Sequence, residues 1–144
     1  MEEHFRKLER MYLKANVNTA LYPSTTVRIS EGSAEIGLEI SENYFHALGA
    51  IHGSVYFKLL DDAAFFAASS VVLDVFVLTA SFNIKFIRPV AEGHLKAIGN
   101  IISTGDDQYL AESILFNDSG KKVAIGSGEF ARSTTQLSKD IGYY

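Results

Sequence analysis

Residues 51–72 constrain the fold more than any other segment of this chain. The segment is too long for one strand, rich in alanine, leucine and phenylalanine, and apolar on almost every side. A helix that is hydrophobic all round is a buried helix. Its small side chains would let another backbone approach closely; they are Ala63, Ala64, Ala67, Ala68, Ser69 and Ser70. We therefore predict a long central helix that the rest of the chain wraps.

The segments available to wrap this helix have the pattern of strands. Residues 25–31 and 33–40 alternate around Gly32, as the two arms of a hairpin do. Four longer β-type runs, separated by turn-forming clusters, are 75–87, 94–104, 108–116 and 121–133. Short connections favour pairing between sequence neighbours, at least for these last four. The expected fold class is α+β, with a curved antiparallel sheet of about five to six strands around the helix.

The two ends of the chain carry weaker signals. Phe5, Leu8 and Tyr12 recur at three- and four-residue steps, which predicts an amphipathic helix over about 2–15. The tail, about 134–144, has little pattern and is expected to be loose. A length of 144 residues amounts to one domain, so we expect a single domain over 1–144.

Composition narrows the classes of function. A formal charge of -4 without a dense Lys/Arg cluster does not suit a nucleic-acid partner. The longest apolar run, 63–73, is far shorter than the roughly 20 residues that a membrane span needs. The absence of cysteine excludes disulfides, thiolate metal sites and a Cys nucleophile. The absence of cysteine, together with an N-terminus that lacks an apolar signal-peptide region, leads us to expect a cytoplasmic protein. We expect no metal, since the four histidines show no ligand spacing: His4, His46, His52 and His94.

Two adjacent carboxylates, Asp61 and Asp62, interrupt the apolar helix. The helix starts near Gly53, where unpaired amides and the helix dipole would favour a developing oxyanion. Asp61 lies eight residues beyond Gly53, about 12 Å along the axis, so one chain cannot bring both to one carbonyl. Antiparallel helices from two subunits would bring them together at two equal sites. Asp62, four residues after Lys58, could simply form an ion pair with it, and the residues alone do not decide which carboxylate acts.

Three features together resemble the hotdog-fold acyl-CoA thioesterases, specifically the PaaI-like group. They are "HGS" at 52–54, Asp61 nine positions after His52, and "TASFNIKFIRPVAEG" at 79–93. The resemblance covers about residues 25 to 133. It implies that Gly53 donates its amide to the thioester carbonyl and that Asp61 of the partner subunit is the base or nucleophile.

The same resemblance assigns further roles. His52 would orient the site, Thr79 would hold the attacking water, and Asp62 would be a structural neighbour. No cofactor is implied, because coenzyme A enters as part of the substrate. The implied partners are acyl-CoA and a second copy of the chain, as a homodimer or a pair of dimers.

Two positions depart from the family pattern. Ser54 stands where the family has a second glycine, a change that leaves a free amide and is compatible with capping the helix. His46 stands six residues before the motif histidine, where the family usually has asparagine. Histidine can still donate one hydrogen bond, but it is bulkier and can take a proton. Two alternatives to hydrolysis therefore stay open, a non-catalytic acyl-CoA-binding module and a hotdog acyl hydratase or dehydratase.

The phosphates of coenzyme A would need cationic partners, for which Lys85 and Arg88 are candidates. Regular alternation along the predicted strand 75–87 divides its residues between two faces. Thr79 and Lys85 share one face with Ser81 and Asn83, and the other face carries Ala80, Phe82, Ile84 and Phe86.

Overall fold

The computed structural model describes the whole chain, residues 1–144. The helices are α1 (Glu2–Lys14), α2 (Asn16–Leu21) and α3 (Gly53–Ser69), with 3-10 turns at Glu42–Tyr44 and Lys139–Ile141. The strands are β1 (Thr26–Ser30), β2 (Ser33–Glu39), β3 (Val75–Phe86), β4 (His94–Thr104), β5 (Gln108–Phe116) and β6 (Lys122–Gln136).

All six strands form one antiparallel sheet in the order β1-β2-β4-β5-β6-β3, and α3 packs on its concave face. One cross-strand row beneath the helix, Ile36, Ala97, Leu115 and Ala124, is fully buried. Burial of such apolar area is the main favourable term in folding. The expected α+β hotdog architecture, a long central helix wrapped by a curved sheet, is confirmed.

The small residues of α3 allow the close approach that their sequence suggested. A Cβ on Gly99 of β4 would lie 2.2 Å from the Ala63 carbonyl oxygen, so only glycine fits there. Ala63, Ala64, Ala67 and Ala68 are all fully buried. The helix therefore lies directly on the backbone of the sheet, which fixes the position of every side chain along it.

The predicted pairing of β3 with β4 is wrong. Strand β3 pairs with β6 at the edge of the sheet, and β4 lies between β2 and β5. The connection from β3 to β4, residues 87–93, runs across the end of the sheet, since Ile87 and Arg88 donate to the Val123 carbonyl. Crossing three strand spacings takes about 14 Å, well within the reach of seven extended residues. The rule that favours sequence neighbours holds only where the connection is tight.

The N-terminal helix and the tail are packed together. Helix α1 buries Phe5, Leu8 and Tyr12 against the body of the protein, as the periodicity predicted. His4 donates from Nε2 to the Ser69 carbonyl (2.9 Å), so its Nδ1 accepts from the Tyr143 hydroxyl at 2.7 Å. The tail, expected to be loose, is thus attached to α1, a long-range contact that the local pattern could not reveal.

No helix is both long and apolar enough to cross a bilayer. No three His, Cys, Asp or Glu side chains gather where they could hold a metal ion.

Candidate active site

Asp61 of α3 and Thr79 of β3 meet at the wall of a cleft. The Thr79 hydroxyl donates to Asp61 Oδ1 over 2.9 Å. The cleft has a volume of about 900 Å³ and lies between α3 and β3 on one side and the N-terminal helices on the other. The structure thus brings together two of the residues named from the sequence.

A β-bulge explains why Thr79 reaches α3. The ladder between β3 and β6 shifts by one residue between Thr79 and Ser81, so the alternation of faces reverses there. Phe82 and Phe86, beyond the bulge, also contact α3, through edge-to-face contacts with Phe57 and Tyr56 respectively.

The prediction that Thr79 and Lys85 share a face is therefore wrong. Lys85 lies between Ile84 and Phe86, which pack toward the helix, so it belongs to the opposite face of the strand. Its side chain is exposed. A bulge is a tertiary feature that regular alternation cannot predict.

The surroundings of Asp61 favour a carboxyl that titrates near neutral pH. Burial raises its pKa to about 6, helped by the negative charge of Asp62 and opposed by the Thr79 hydrogen bond and by Lys58. A pKa close to the operating pH suits a general base, which must be ionised and still accept a proton. Asp61 Oδ2 has no hydrogen-bond partner within the chain, so it is available to a ligand.

Asp62 has different neighbours from Asp61. Its Oδ2 accepts from Lys58 Nζ at 2.8 Å and from the Tyr12 hydroxyl at 2.7 Å. Lys58 Nζ also donates to Asn18 Oδ1 at 2.7 Å. The ion pair that the Lys58 spacing allowed is present within α3. The hydrogen bonds from Tyr12 to Asp62 and from Lys58 to Asn18 hold α1 and α2 against α3.

The first turn of α3 leaves one amide unpaired. The N-cap is His52, whose Nδ1 accepts from the Ser54 amide (3.0 Å), while the His52 carbonyl accepts from the Val55 amide. The Ser54 hydroxyl lies 2.8 Å from the same Nδ1. The expectation that Ser54 leaves a free amide is therefore wrong, because His52 takes it. The Gly53 amide, ahead of the first intrahelical bond, has no partner in the chain.

His46 and Arg88 lie beside Gly53. All three line a small pocket of about 290 Å³, together with Phe86. His46 Nδ1 accepts from the Leu48 amide at 3.1 Å, so in the neutral ring the proton is on Nε2. His46 therefore keeps one N–H donor at Nε2 and lines the same pocket as Gly53.

Five of the eight site residues named from the sequence fall into two groups within one chain, while His52, Ser54 and Lys85 line neither cavity. Asp61 and Thr79 line the large cleft, whereas Gly53, His46 and Arg88 line the small pocket. The polar cluster of Tyr12, Asn18 and Lys58 was not singled out beforehand. Only the four-residue step from Lys58 to Asp62 gave a signal, because Tyr12 and Asn18 come from distant parts of the sequence.

A family model described as the Thioesterase superfamily matches residues 48–124, just over half of the chain. The chain belongs to the thioesterase superfamily. The matched segment carries Gly53, Asp61 and Thr79, whereas α1, α2, β1 and β2 lie outside it.

Three relatives of this thioesterase-superfamily chain align with most of its length. The PaaI protein of the phenylacetic acid degradation operon of E. coli has the same fold, with a TM-score of 0.84 and 21% identity over 95% of this chain and 98% of that one. Conserved protein PA5202 of Pseudomonas aeruginosa is 25% identical, with a TM-score of 0.76, over 85% of this chain and 97% of that one. A protein of Saccharolobus solfataricus named "Putative esterase SSO2140" is 24% identical over 94% of this chain and 99% of its own length.

Proposed function

We propose that this protein is an acyl-CoA thioesterase acting as a homodimer, in which Asp61 of one subunit works opposite Gly53 of the other. One observation carries the proposal. A carboxyl group poised to titrate near neutral pH lies in one cavity, and an unpaired helix-terminal amide lies in another. Neither group completes a hydrolytic site alone.

The surface between these two cavities supports a dimer. Along β3 the chain presents an unpaired strand edge, and such edges are covered in stable proteins. Leu78 and Phe86 on this strand are 53% and 54% exposed, and Phe57 of α3 is exposed beside them. A second copy related by two-fold symmetry would cover this surface and place two α3 helices side by side. A pair of dimers is a further assembly that this arrangement permits.

In the proposed reaction, the thioester carbonyl oxygen accepts from the Gly53 amide at the positive end of the α3 dipole. Acting as a base, Asp61 takes a proton from water while the water oxygen attacks the carbonyl carbon. The Thr79 hydroxyl holds Asp61 or the attacking water. The tetrahedral intermediate then expels the coenzyme A thiolate, which takes up the proton. Direct attack by Asp61 through an acyl-enzyme anhydride uses the same groups.

The neighbouring residues fit supporting roles. The His46 Nε2 proton supplies a second donor near the carbonyl oxygen, so histidine replaces the donor function of the family asparagine. His52 orients the first turn of α3 through its cap. Arg88 lies beside the Gly53 pocket and is the better candidate for a coenzyme A phosphate, since Lys85 lies on the other face of β3.

The comparisons support hydrolysis and leave the acyl group to be tested. One relative is named an esterase, and another belongs to a phenylacetic acid degradation operon, which favours aryl-acyl thioesters within the small to medium range. Coenzyme A is part of the substrate in this proposal, and no other cofactor has a role in it. A cytoplasmic location belongs to the same proposal.

The first test compares Asp61→Asn with Asp62→Asn. We expect Asp61→Asn to lower kcat by at least about a hundredfold, the usual contribution of a general base, and Asp62→Asn to be far milder. The assay measures the thiol released from a saturated acyl-CoA with Ellman's reagent. Turnover that survives in Asp61→Asn removes the catalytic assignment. Wild type that binds acyl-CoA without releasing thiol would be a binding module, and thiol-free conversion of an enoyl-CoA would indicate a hydratase.

The second test asks whether each site is shared between two subunits. Gly53→Pro removes the amide proton at the first helical position, where proline is tolerated, and His52 already has the extended backbone that precedes proline. Gly53→Ala, which keeps the amide, is the matched control. Each of Gly53→Pro and Asp61→Asn should be inactive alone. Co-expressed, they should recover about a quarter of wild-type activity, because half of the dimers are mixed and each has one intact site. No recovery would contradict a site that Gly53 and Asp61 form across two subunits.

A further inference from the structure

The N-terminal helices form a roof, residues 11–18, over the cleft that contains Asp61. Tyr12, Lys14, Ala15, Val17 and Asn18 from this roof all line the cleft. The roof lies outside the segment that matches the family model. It therefore adds a wall that the family motif does not encode.

The roof is fixed to α3 by a polar cluster in which the Lys58 ammonium has no proton to spare. Lys58 Nζ uses its three protons on Asp62 Oδ2 (2.8 Å), Asn18 Oδ1 (2.7 Å) and the Tyr12 hydroxyl oxygen (3.2 Å). The Tyr12 hydroxyl proton goes to Asp62, and Asn18 Nδ2 donates to the Tyr12 carbonyl. The rings of Tyr12 and Tyr22 flank the ammonium group at 5.1 and 4.7 Å. A ligand in the cleft therefore finds the Lys58 cation already bound.

The rest of the cleft is mainly apolar. Its side chains include Val17, Phe57, Phe65, Phe66, Phe76 and Leu78. In the single chain, its volume of about 900 Å³ lies in the upper part of the range that holds a drug-sized ligand, and in the proposed dimer the partner would close its side at Phe57 and Leu78. Lys14, the other cation of the lining, is exposed and sits over the Tyr144 ring at 4.3 Å. A carboxylate carried among these apolar side chains would lose its water while Lys58 is already paired with Asp62, and only the exposed Lys14 would be left to balance its charge, which is costly.

We propose that this cleft is the acyl subsite, that it takes an apolar, uncharged acyl chain or ring, and that the roof at Val17 limits how far the acyl group extends. The proposal rests on the proposed function, because it places the thioester carbonyl at Asp61 and the acyl group beyond it. Val17 is 46% exposed and lies on the α2 side of the roof. A larger side chain there would fill the cleft without disturbing the core.

The experiment uses the absence of tryptophan from the chain. Val17→Trp introduces a single tryptophan into the cleft, whose emission is followed with excitation that tyrosine does not absorb. Ala20→Trp places the same residue on an exposed position of α2 that does not line the cleft. Both variants are titrated with the thioether S-hexyl-CoA, which cannot be hydrolysed, and with coenzyme A alone. Hydrolysis of acetyl-, hexanoyl- and adipoyl-CoA is measured for both variants and for wild type.

We expect S-hexyl-CoA to change the emission of Val17→Trp in a saturable way, and to leave Ala20→Trp unchanged. Each buried methylene is worth about fourfold in binding, so wild type and Ala20→Trp should prefer hexanoyl- to acetyl-CoA by more than tenfold. Val17→Trp should lose most of that preference. Adipoyl-CoA, which ends in a carboxylate, should be a poor substrate for wild type.

The outcomes separate this proposal from the proposed function. A saturable emission change in Val17→Trp, without hydrolysis by wild type, would support the acyl subsite and contradict the thioesterase. Hydrolysis by wild type with an unchanged chain-length preference in Val17→Trp, and no emission change, would overturn the subsite and leave the thioesterase standing. Adipoyl-CoA turned over as well as hexanoyl-CoA would overturn the apolar class. Greater thermal stabilisation of wild type by S-hexyl-CoA than by coenzyme A is a check that needs no variant.

Discussion

Asp61 and Asp62 are the same residue type, adjacent on one helix, yet the two sides of α3 give them different chemistry. Asp61 faces the cleft, is bonded only to Thr79, and has its pKa raised by burial. Asp62 faces the roof, where Lys58 and Tyr12 bind it. The lesson is that a carboxylate in an apolar helix acquires its role from the element packed against it. Asp62 is bound into the polar cluster that joins the N-terminal helices to α3, whereas Asp61 keeps one carboxylate oxygen without a hydrogen-bond partner in the chain.

Removing the cation from the Asp62 side should have the largest effect on stability. Lys58→Met leaves the half-buried Asp62 carboxylate with the Tyr12 hydroxyl alone. The cost should be about 2 kcal/mol, between the values for exposed and fully buried pairs. Lys7→Met is the matched control, since Lys7 pairs with Glu3 at the same four-residue spacing but on the surface. It should cost less than about 0.5 kcal/mol.

Urea unfolding at one fixed protein concentration measures both variants, because the stability of a dimer depends on its concentration. Equal losses for Lys58→Met and Lys7→Met would mean that the roof is not held by this cluster. The claim that Asp62 stabilises the fold through Lys58 would then be contradicted.

Replacing each carboxylate by an amide should change the free energy of unfolding in opposite directions: Asp61→Asn should raise it at pH 7, and Asp62→Asn should lower it. The pKa of Asp61 is raised from an ordinary value of 3.8 to about 6, so the native state holds the proton more tightly than the unfolded chain does. Stability therefore falls as pH rises from about 4 to 6, and the penalty is complete above about 6. Asp61→Asn lacks that penalty and should be more stable than wild type at pH 7 by about 1 kcal/mol, allowing for partial exposure.

Asp62→Asn should instead destabilise the protein at pH 7 by about 1 kcal/mol, because it leaves Lys58 without its counter-charge. Urea midpoints for both variants, measured at pH 4 and pH 7, check the signs. The stability difference between Asp61→Asn and wild type should be larger at pH 7 than at pH 4. An equal difference at the two pH values would show that burial does not raise the pKa of Asp61.

Much of the fold could be predicted because it is encoded locally. The all-round apolar pattern of α3 and the alternating runs around it predicted the elements and a helix wrapped by a curved antiparallel sheet, and the resemblance to the hotdog thioesterases identified that arrangement as a hotdog fold. The edge position of β3 and the bulge between Thr79 and Ser81 are set by contacts with β6, which leave no mark on the sequence period. For the same reason, the residues alone could not tell Asp61 from Asp62. The difference between them depends on Tyr12 and Asn18, which reach Asp62 and Lys58 only once α1 and α2 have folded over α3.

The smallest expected effect tests the single hydrogen bond on the Asp61 side. Thr79→Val preserves the shape of the side chain and removes the hydroxyl whose bond lowers the pKa of Asp61. The acid limb of the kcat/KM profile should therefore move to higher pH by about one unit, the size of one lost hydrogen bond to a charged group, with a loss of about fivefold near pH 6, where half of the wild-type Asp61 is ionised. Ser81→Ala, beyond the bulge and on the other face, is the control and should leave the profile unchanged.

The value of kcat/KM at high pH, above the acid limb, then distinguishes between the two roles proposed for Thr79. If the hydroxyl only tunes Asp61, the variant recovers wild-type activity at pH 8, where Asp61 is ionised in both. If it also holds the attacking water, the loss persists at that pH. An unshifted limb in Thr79→Val would mean that Asp61 does not titrate in the reaction. The functional contrast with Asp62 would then have to rest on geometry alone.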